Sequence, residues 1–374
     1  MDATRKRPTV TELRLSAFKS HRGATFPLGP VTLFAGASGS GKSSALQAYE
    51  ALARLGSGAA LGEVFRDPPG CVPEGAEADA QGRRGFRIGC TVDGPVGPVR
   101  LDLAVQAEPE LRVVGERLTA DGRTLLTTAL RDPGRSSVQA AWHTGGAVAV
   151  TRAPLPDDRL GTALLPLRVA GSTEGQRQVL AAAEQVVVAL RSVFACDPQP
   201  QRMRAPVPVA GGRLRGGCDN LAEVLRRTRT ECTTRHAALI TAARAGCAGT
   251  VDDLTAEDLT DGRVRAVLGR GAEGATPVGR LGEGELRYLA LALVLLTGPG
   301  VLAVDPAAEL LPAQQVLTVL ADGFDRSLDA RQTRELVRLA VMSCGRGHIR
   351  LVGAVGDGDR ARGVDGVSVV DLVP

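Results

Sequence analysis

An α/β fold is what this sequence predicts, on three observations. The apolar strand Val31–Ala35 runs directly into a glycine-rich segment over 36–44, and a helix follows with apolar residues at Leu46, Tyr49, Leu52 and Leu55. Between 86 and 153, short strand-like runs alternate with turn signals such as Asp93-Gly94 and Asp121-Gly122, the pattern of an antiparallel meander. The last hundred residues return to helix–strand alternation.

The glycine-rich segment decides the chemistry. Gly36, Ser38, Gly39, Ser40, Gly41, Lys42, Ser43 and Ser44 belong to a complete G-x-x-x-x-G-K-[ST] phosphate loop. Its glycines let backbone N–H groups close round an anion, Lys42 reaches the β- and γ-phosphates, and Ser43 can hold Mg²⁺. Only Lys6, Lys19 and Lys42 are lysines among 45 basic residues, so a compact ammonium stands where one is wanted in an arginine-rich chain. ATP and Mg²⁺ are the expected ligands.

With 374 residues the chain has room for a substantial core, and 44% hydrophobic residues is ordinary for a globular protein. A net charge of +4 permits contact with nucleic acid without demanding it. Seven scattered cysteines with no C-x-x-C pair argue against a metal site or a disulfide framework. The basic start lacks an apolar h-region, and the longest apolar stretch, 289–296, is too short to span a bilayer. The expectation is a cytoplasmic protein with no membrane partner.

Along the chain, residues 56–85 read as a loop. Strands are predicted over 86–92, 99–105, 111–118, 137–143 and 147–152, then helices over 174–194 and 220–245, the second capped at Asp219. Smaller helical pieces are expected over 252–268. Then come helix 284–296, strand 301–304, helices 313–320 and 331–342, and strand 349–355. Trp142 and His143 read as packing, and Arg226, Arg227 and Arg229 as a solvated helix face. Val301-Leu302-Ala303-Val304-Asp305 is an apolar run ending in an acid, so Asp305 is the candidate second magnesium ligand. Some twenty residues upstream, Leu281, Gly282, Glu283 and Gly284 open a strongly apolar helix whose N-terminus offers free N–H groups to an anion.

The order of phosphate loop, glycine-rich helix start and acid-ended strand resembles the ABC-type ATPases, and within them the SMC/RecF/OLD-like branch of AAA_21 type. Leu15 to Ser20 looks like that family's F-K-S segment, Cys218 to Leu225 like its G-x-N-L helix start, and Leu281 to Leu293 like its signature. The resemblance implies one ATPase head over 1–374. It would comprise a P-loop unit at 9–56, an antiparallel β lobe at 86–153, a helical lobe at 172–280, and a C-terminal α/β part at 281–374. It also implies an ATP-dependent homodimer in which each phosphate loop faces the partner's signature. Gln176 is then the candidate magnesium- and water-sensing residue, and DNA or a partner protein a further ligand, in DNA repair or phage defence.

Three departures from that pattern touch hydrolysis. Pro306 stands where the family has a catalytic Glu, leaving Glu309 as the nearest acid. Gly282 replaces the signature serine, and no histidine follows the strand at 349–355. Losing a positioned base costs about 10²–10⁴ in rate, so binding with slow or absent turnover is expected. The alternative is a non-enzymatic scaffold or regulatory subunit stabilised by ATP.

Overall fold

The computed structural model describes residues 6–145, 148–298, 300–304 and 315–373. It begins with a hairpin of β1 (Thr9–Phe18) and β2 (His21–Pro27), turned at Lys19, whose φ of 51° is left-handed. β3 (Val31–Ala35) then enters the phosphate loop, and α1 (Lys42–Gly56) leaves it. β4 (Arg84–Asp93), β5 (Val99–Glu108), β6 (Arg112–Ala120), β7 (Arg123–Ala129), β8 (Ser137–His143) and β9 (Val150–Pro156) continue as a meander. With the first hairpin they form an antiparallel sheet in the order β2-β1-β4-β5-β6-β7-β8-β9. Trp142 is buried on β8, as a packing residue should be.

α2 (Glu174–Arg191) lies on this sheet and feeds β10 (Val193–Cys196). The predicted helix 174–194 therefore stops at Arg191, and its last residues belong to a strand. A small sheet follows from β11 (Val207–Pro208), β12 (Asp253–Asp258), β13 (Arg263–Gly269) and β14 (Ala275–Pro277), packed on α3 (Leu221–Glu231) and α4 (Thr233–Gly246). Two expectations fail here. The helix over 220–245 breaks at Cys232, and its N-cap is Asn220, because the Asp219 carboxylate pairs with Arg215 instead. The pieces over 252–268 are strands: Asp261-Gly262 makes a hairpin turn with Gly262 at φ 76°, and Val264, Ala266 and Leu268 face the core in alternation.

α5 (Glu283–Leu296), β15 (Leu317–Ala321), α6 (Ala330–Cys344), β16 (Ile349–Val355) and β17 (Val367–Asp371) complete the chain. β10-β15-β16-β3-β17 is a five-stranded parallel sheet. Residues 317–320, expected to be helical, lie inside its fully buried β15. Val316, Thr318 and Val319 suit a strand covered on both faces, and that burial overrides helix propensity. The run 301–304 is no strand of this sheet; Leu302 makes one isolated parallel bridge, to Leu214.

β3 joins the two hydrophobic cores. Val31, Leu33 and Ala35 pack into the core beneath the signature helix, and Phe34 packs into the core under the antiparallel sheet. The period of two along a strand makes this sharing possible. It holds the phosphate loop at the junction of both halves.

Candidate nucleotide-binding site

The loop over 36–44 has the backbone an anion needs. Gly39 and Gly41 have φ of 86° and 91°, a region only glycine enters freely. A Cβ on Gly41 would also lie 2.6 Å from His21 Nε2, and one on Gly36 would lie 2.4 Å from the Leu372 carbonyl. His21 Nε2 sits 2.9 Å from the Gly41 carbonyl, so the β1–β2 turn braces the loop from one side. α1 starts at Lys42 with no side-chain cap, which leaves its first N–H groups for a ligand.

Three further observations fit a nucleotide. Lys42 Nζ donates to the carbonyls of Gly36 (2.6 Å) and Ala37 (2.8 Å), folded back over its own loop. Ser40 Oγ is buried with no partner, an orphaned hydroxyl inside the anion cradle. Ser38 is exposed and Ser44 half-buried at the rim. Ser43 Oγ donates to Asp322 Oδ1 at 3.1 Å, which pairs the loop serine with a carboxylate as a magnesium site requires.

Asp322 is the acid that sequence reasoning missed. It follows β15 directly, at the C-terminal edge of the parallel sheet where the phosphate loop also emerges, one strand away from β3. Asp305 and Glu309, with Pro306, lie outside the described residues. The residues just before them do not run beside the phosphate-loop strand, because 301–304 lies against Leu214. Val316 to Asp322 carries the same signal as Val301 to Asp305, an apolar run ending in an acid. Burial within the parallel sheet, not composition, distinguishes the second run.

The residue after Asp322 is Gly323, at φ 59°, so no carboxylate directly follows Asp322 on that turn. Asp325 is the next acid, and its carboxylate is engaged by the N–H groups of Gly356 and Asp357 at 3.0–3.2 Å. That bond ties the turn to the end of β16, where no histidine occurs.

Arg287 braces this corner from α5. It is 2% exposed, and Nη1 donates to Asp197 Oδ1 (3.0 Å) and the Pro198 carbonyl (2.6 Å). Nη2 donates to the carbonyls of Asp322 (3.3 Å) and Gly323 (2.8 Å). One guanidinium fork thus joins the ends of β10 and β15 to the signature helix, a geometry a lysine cannot reproduce.

At the signature itself, Leu281 is buried in the core and Gly282 is the N-cap of α5. Glu285 accepts from the N–H groups of Gly282 and Ala248. Gly282 and Glu283 are exposed, and a Cβ on Gly282 would meet only the Glu285 carboxylate. Gly284 is different: a Cβ there would lie 2.3 Å from the Ser327 carbonyl, so this glycine is needed for packing within its own chain. Glu283 accepts from Gln201.

Gln176 is a helix-start residue. Its backbone N–H donates to the Thr173 hydroxyl and its side-chain oxygen accepts from Ser172. Thr173 in turn donates to the Thr144 carbonyl, which seats this turn against the residues after β8. The segment that leaves the core sheet beside β15 is instead 197–201, after β10, and Asp197 is its polar residue engaged with Arg287.

No protein-family model matches the sequence, and no curated protein matches it. Among solved structures, the chain is similar to an Smc head bound to the C-winged helix domain of ScpA. There the identity is 13% and the TM-score 0.49, over 93% of this chain and 90% of that one. It is also similar to an Smc head with an extended coiled coil bound to the C-terminal domain of ScpA derived from Pyrococcus furiosus. Identity is 10% and the TM-score 0.49, over 94% and 90% of the two chains. A third is an SMC head from Thermotoga maritima, at 14% identity and a TM-score of 0.45, over 98% and 99%. These likenesses are distant. Among the described residues no helix is long and apolar enough to cross a membrane.

Proposed function

We propose that this chain is an ATP-binding switch of the SMC/RecF/OLD-like ATPase class that holds Mg·ATP and hydrolyses it slowly or not at all. Ser40, Lys42 and the N-terminus of α1 would take the phosphates, and Ser43 with Asp322 the magnesium. Mg²⁺ would neutralise the phosphate charge there. The observation that carries the reading is the Ser43–Asp322 bond followed by Gly323: the groups that bind are in place, and the position next to the metal ligand has no base.

The exposed N-terminus of α5 supports ATP-dependent pairing of two heads. Gly282 and Glu283 are exposed at a helix N-terminus, so a second copy's nucleotide can reach them, whereas Gly284 is occupied in its own chain. DNA repair or phage defence is the setting the family resemblance implies. The missing base equally fits the second reading, a scaffold or regulatory subunit whose ATP is structural.

Light scattering of the protein with Mg·ATP, Mg·ADP and no nucleotide separates the two. A dimer formed only with ATP, and lost in Lys42→Ala, is the expected result. A monomer that binds ATP tightly would overturn the pairing switch and leave the scaffold.

A further inference from the structure

The turn after β15 lays a base over its glycine. A Cβ on Gly323 would lie 2.6 Å from Arg326 Nε, 2.7 Å from Nη2 and 2.8 Å from Cζ, so the Arg326 guanidinium occupies the space a side chain at 323 would fill. The Arg326 N–H donates to the Gly323 carbonyl, which closes the turn and lays the side chain back over the glycine. Gly323 directly follows Asp322, whose carboxylate accepts from Ser43 of the phosphate loop.

Two arginines share Asp197, and they are held very differently. Arg287 is fixed by its four bonds and is almost wholly buried. Arg326 makes one long contact, Nη1 to Asp197 Oδ1 at 3.4 Å, and its side chain is 52% exposed. An exposed pair of that length contributes little and is easily exchanged for a better anion. Arg287 is a brace, and Arg326 is a loosely held cation over the glycine that follows Asp322.

We propose that Arg326 contacts the terminal phosphate of the nucleotide held by its own chain's phosphate loop, leaving Asp197 to do so. The proposal rests on the ATP-binding reading above. It makes the turn a γ-phosphate reader: a guanidinium stabilises the bound triphosphate where a carboxylate would have repelled it and activated water. ATP then differs from ADP at this turn by a charge-assisted hydrogen bond, and the chain can tell the two apart without splitting either.

The test is calorimetric titration of Mg·ATP and Mg·ADP into wild type, Arg326→Ala, Arg326→Lys and Lys42→Ala. Arg326→Ala should weaken ATP by about tenfold, the size of one such bond, and leave ADP nearly unchanged; Arg326→Lys should retain part of the preference. Lys42→Ala should weaken both nucleotides. An ATP-to-ADP affinity ratio in Arg326→Ala equal to that of wild type would overturn the proposal while leaving the ATP-binding reading intact. Wild type that binds neither nucleotide would overturn both. A lower melting temperature with an unchanged ratio would make Arg326 a structural tether and count against it.

Discussion

Two turns leave the same edge of the parallel sheet, and they differ in what they keep. The turn after β3 has the left-handed glycines, an orphaned serine hydroxyl, a lysine and an uncapped helix, which is the full set for holding phosphate. The turn after β15 keeps the Asp322 carboxylate, bonded to Ser43, and then offers Gly323 under the Arg326 guanidinium. One strand separates β3 from β15, and the Ser43–Asp322 bond joins the two turns. In the proposed function, binding and hydrolysis fall to different turns, so one can be lost while the other stays whole.

If the second turn were merely decayed, its supports would be dispensable. Arg287 says otherwise. Arg287→Met should lower unfolding stability by about 3 kcal/mol, because it leaves buried carbonyls without their donor and Asp197 with only its long contact to Arg326. A urea titration reads this as a lower midpoint at unchanged slope, and no change would mean that the turn is not maintained. On the first turn, Lys42→Ala should cost about 10- to 100-fold in ATP affinity, the loss of one charged hydrogen-bonding group. Between the turns, Asp322→Asn should remove about tenfold of the magnesium-dependent part of ATP affinity. Asp305→Asn should leave that part unchanged, and equal effects would contradict the assignment of Asp322.

A control away from both turns has a smaller effect. The Arg215 guanidinium beside Asp219 holds that carboxyl below its usual range. The pair's stability is therefore present above the unfolded-state value and is lost as pH falls through the folded one. The pair is partly exposed, so Asp219→Asn should cost under about 1 kcal/mol near neutral pH and nothing in acid, measured by melts at both pH values.

The first turn was legible because its motif is local: every group that matters lies within nine consecutive residues. The second was not. Asp322 meets Ser43 only after the chain has crossed 279 residues, and two runs, 301–305 and 316–322, carry the same apolar-then-acid pattern. Nearness to the signature favours the first run, but sheet burial selects the second, and burial is a tertiary property. Arg287, Arg326 and Asp197 act through contacts between strand ends that no spacing encodes. The antiparallel sheet was largely readable from periodicity, as were α5, α6 and β16, whereas 301–304 and 317–320 were assigned wrongly. β7 and the β12–β13 hairpin were missed where polar residues blurred a short alternation.

The most direct measurement is single-turnover hydrolysis, with protein in excess over Mg·ATP and product followed by rapid quench. With no base on the turn after Asp322 among the described residues, ATP should remain bound and uncleaved, at a rate about 10²–10⁴ below that of an enzyme with a positioned base. Cleavage at an ordinary ATPase rate, abolished in Lys42→Ala, would contradict the claim that this chain holds ATP better than it splits it.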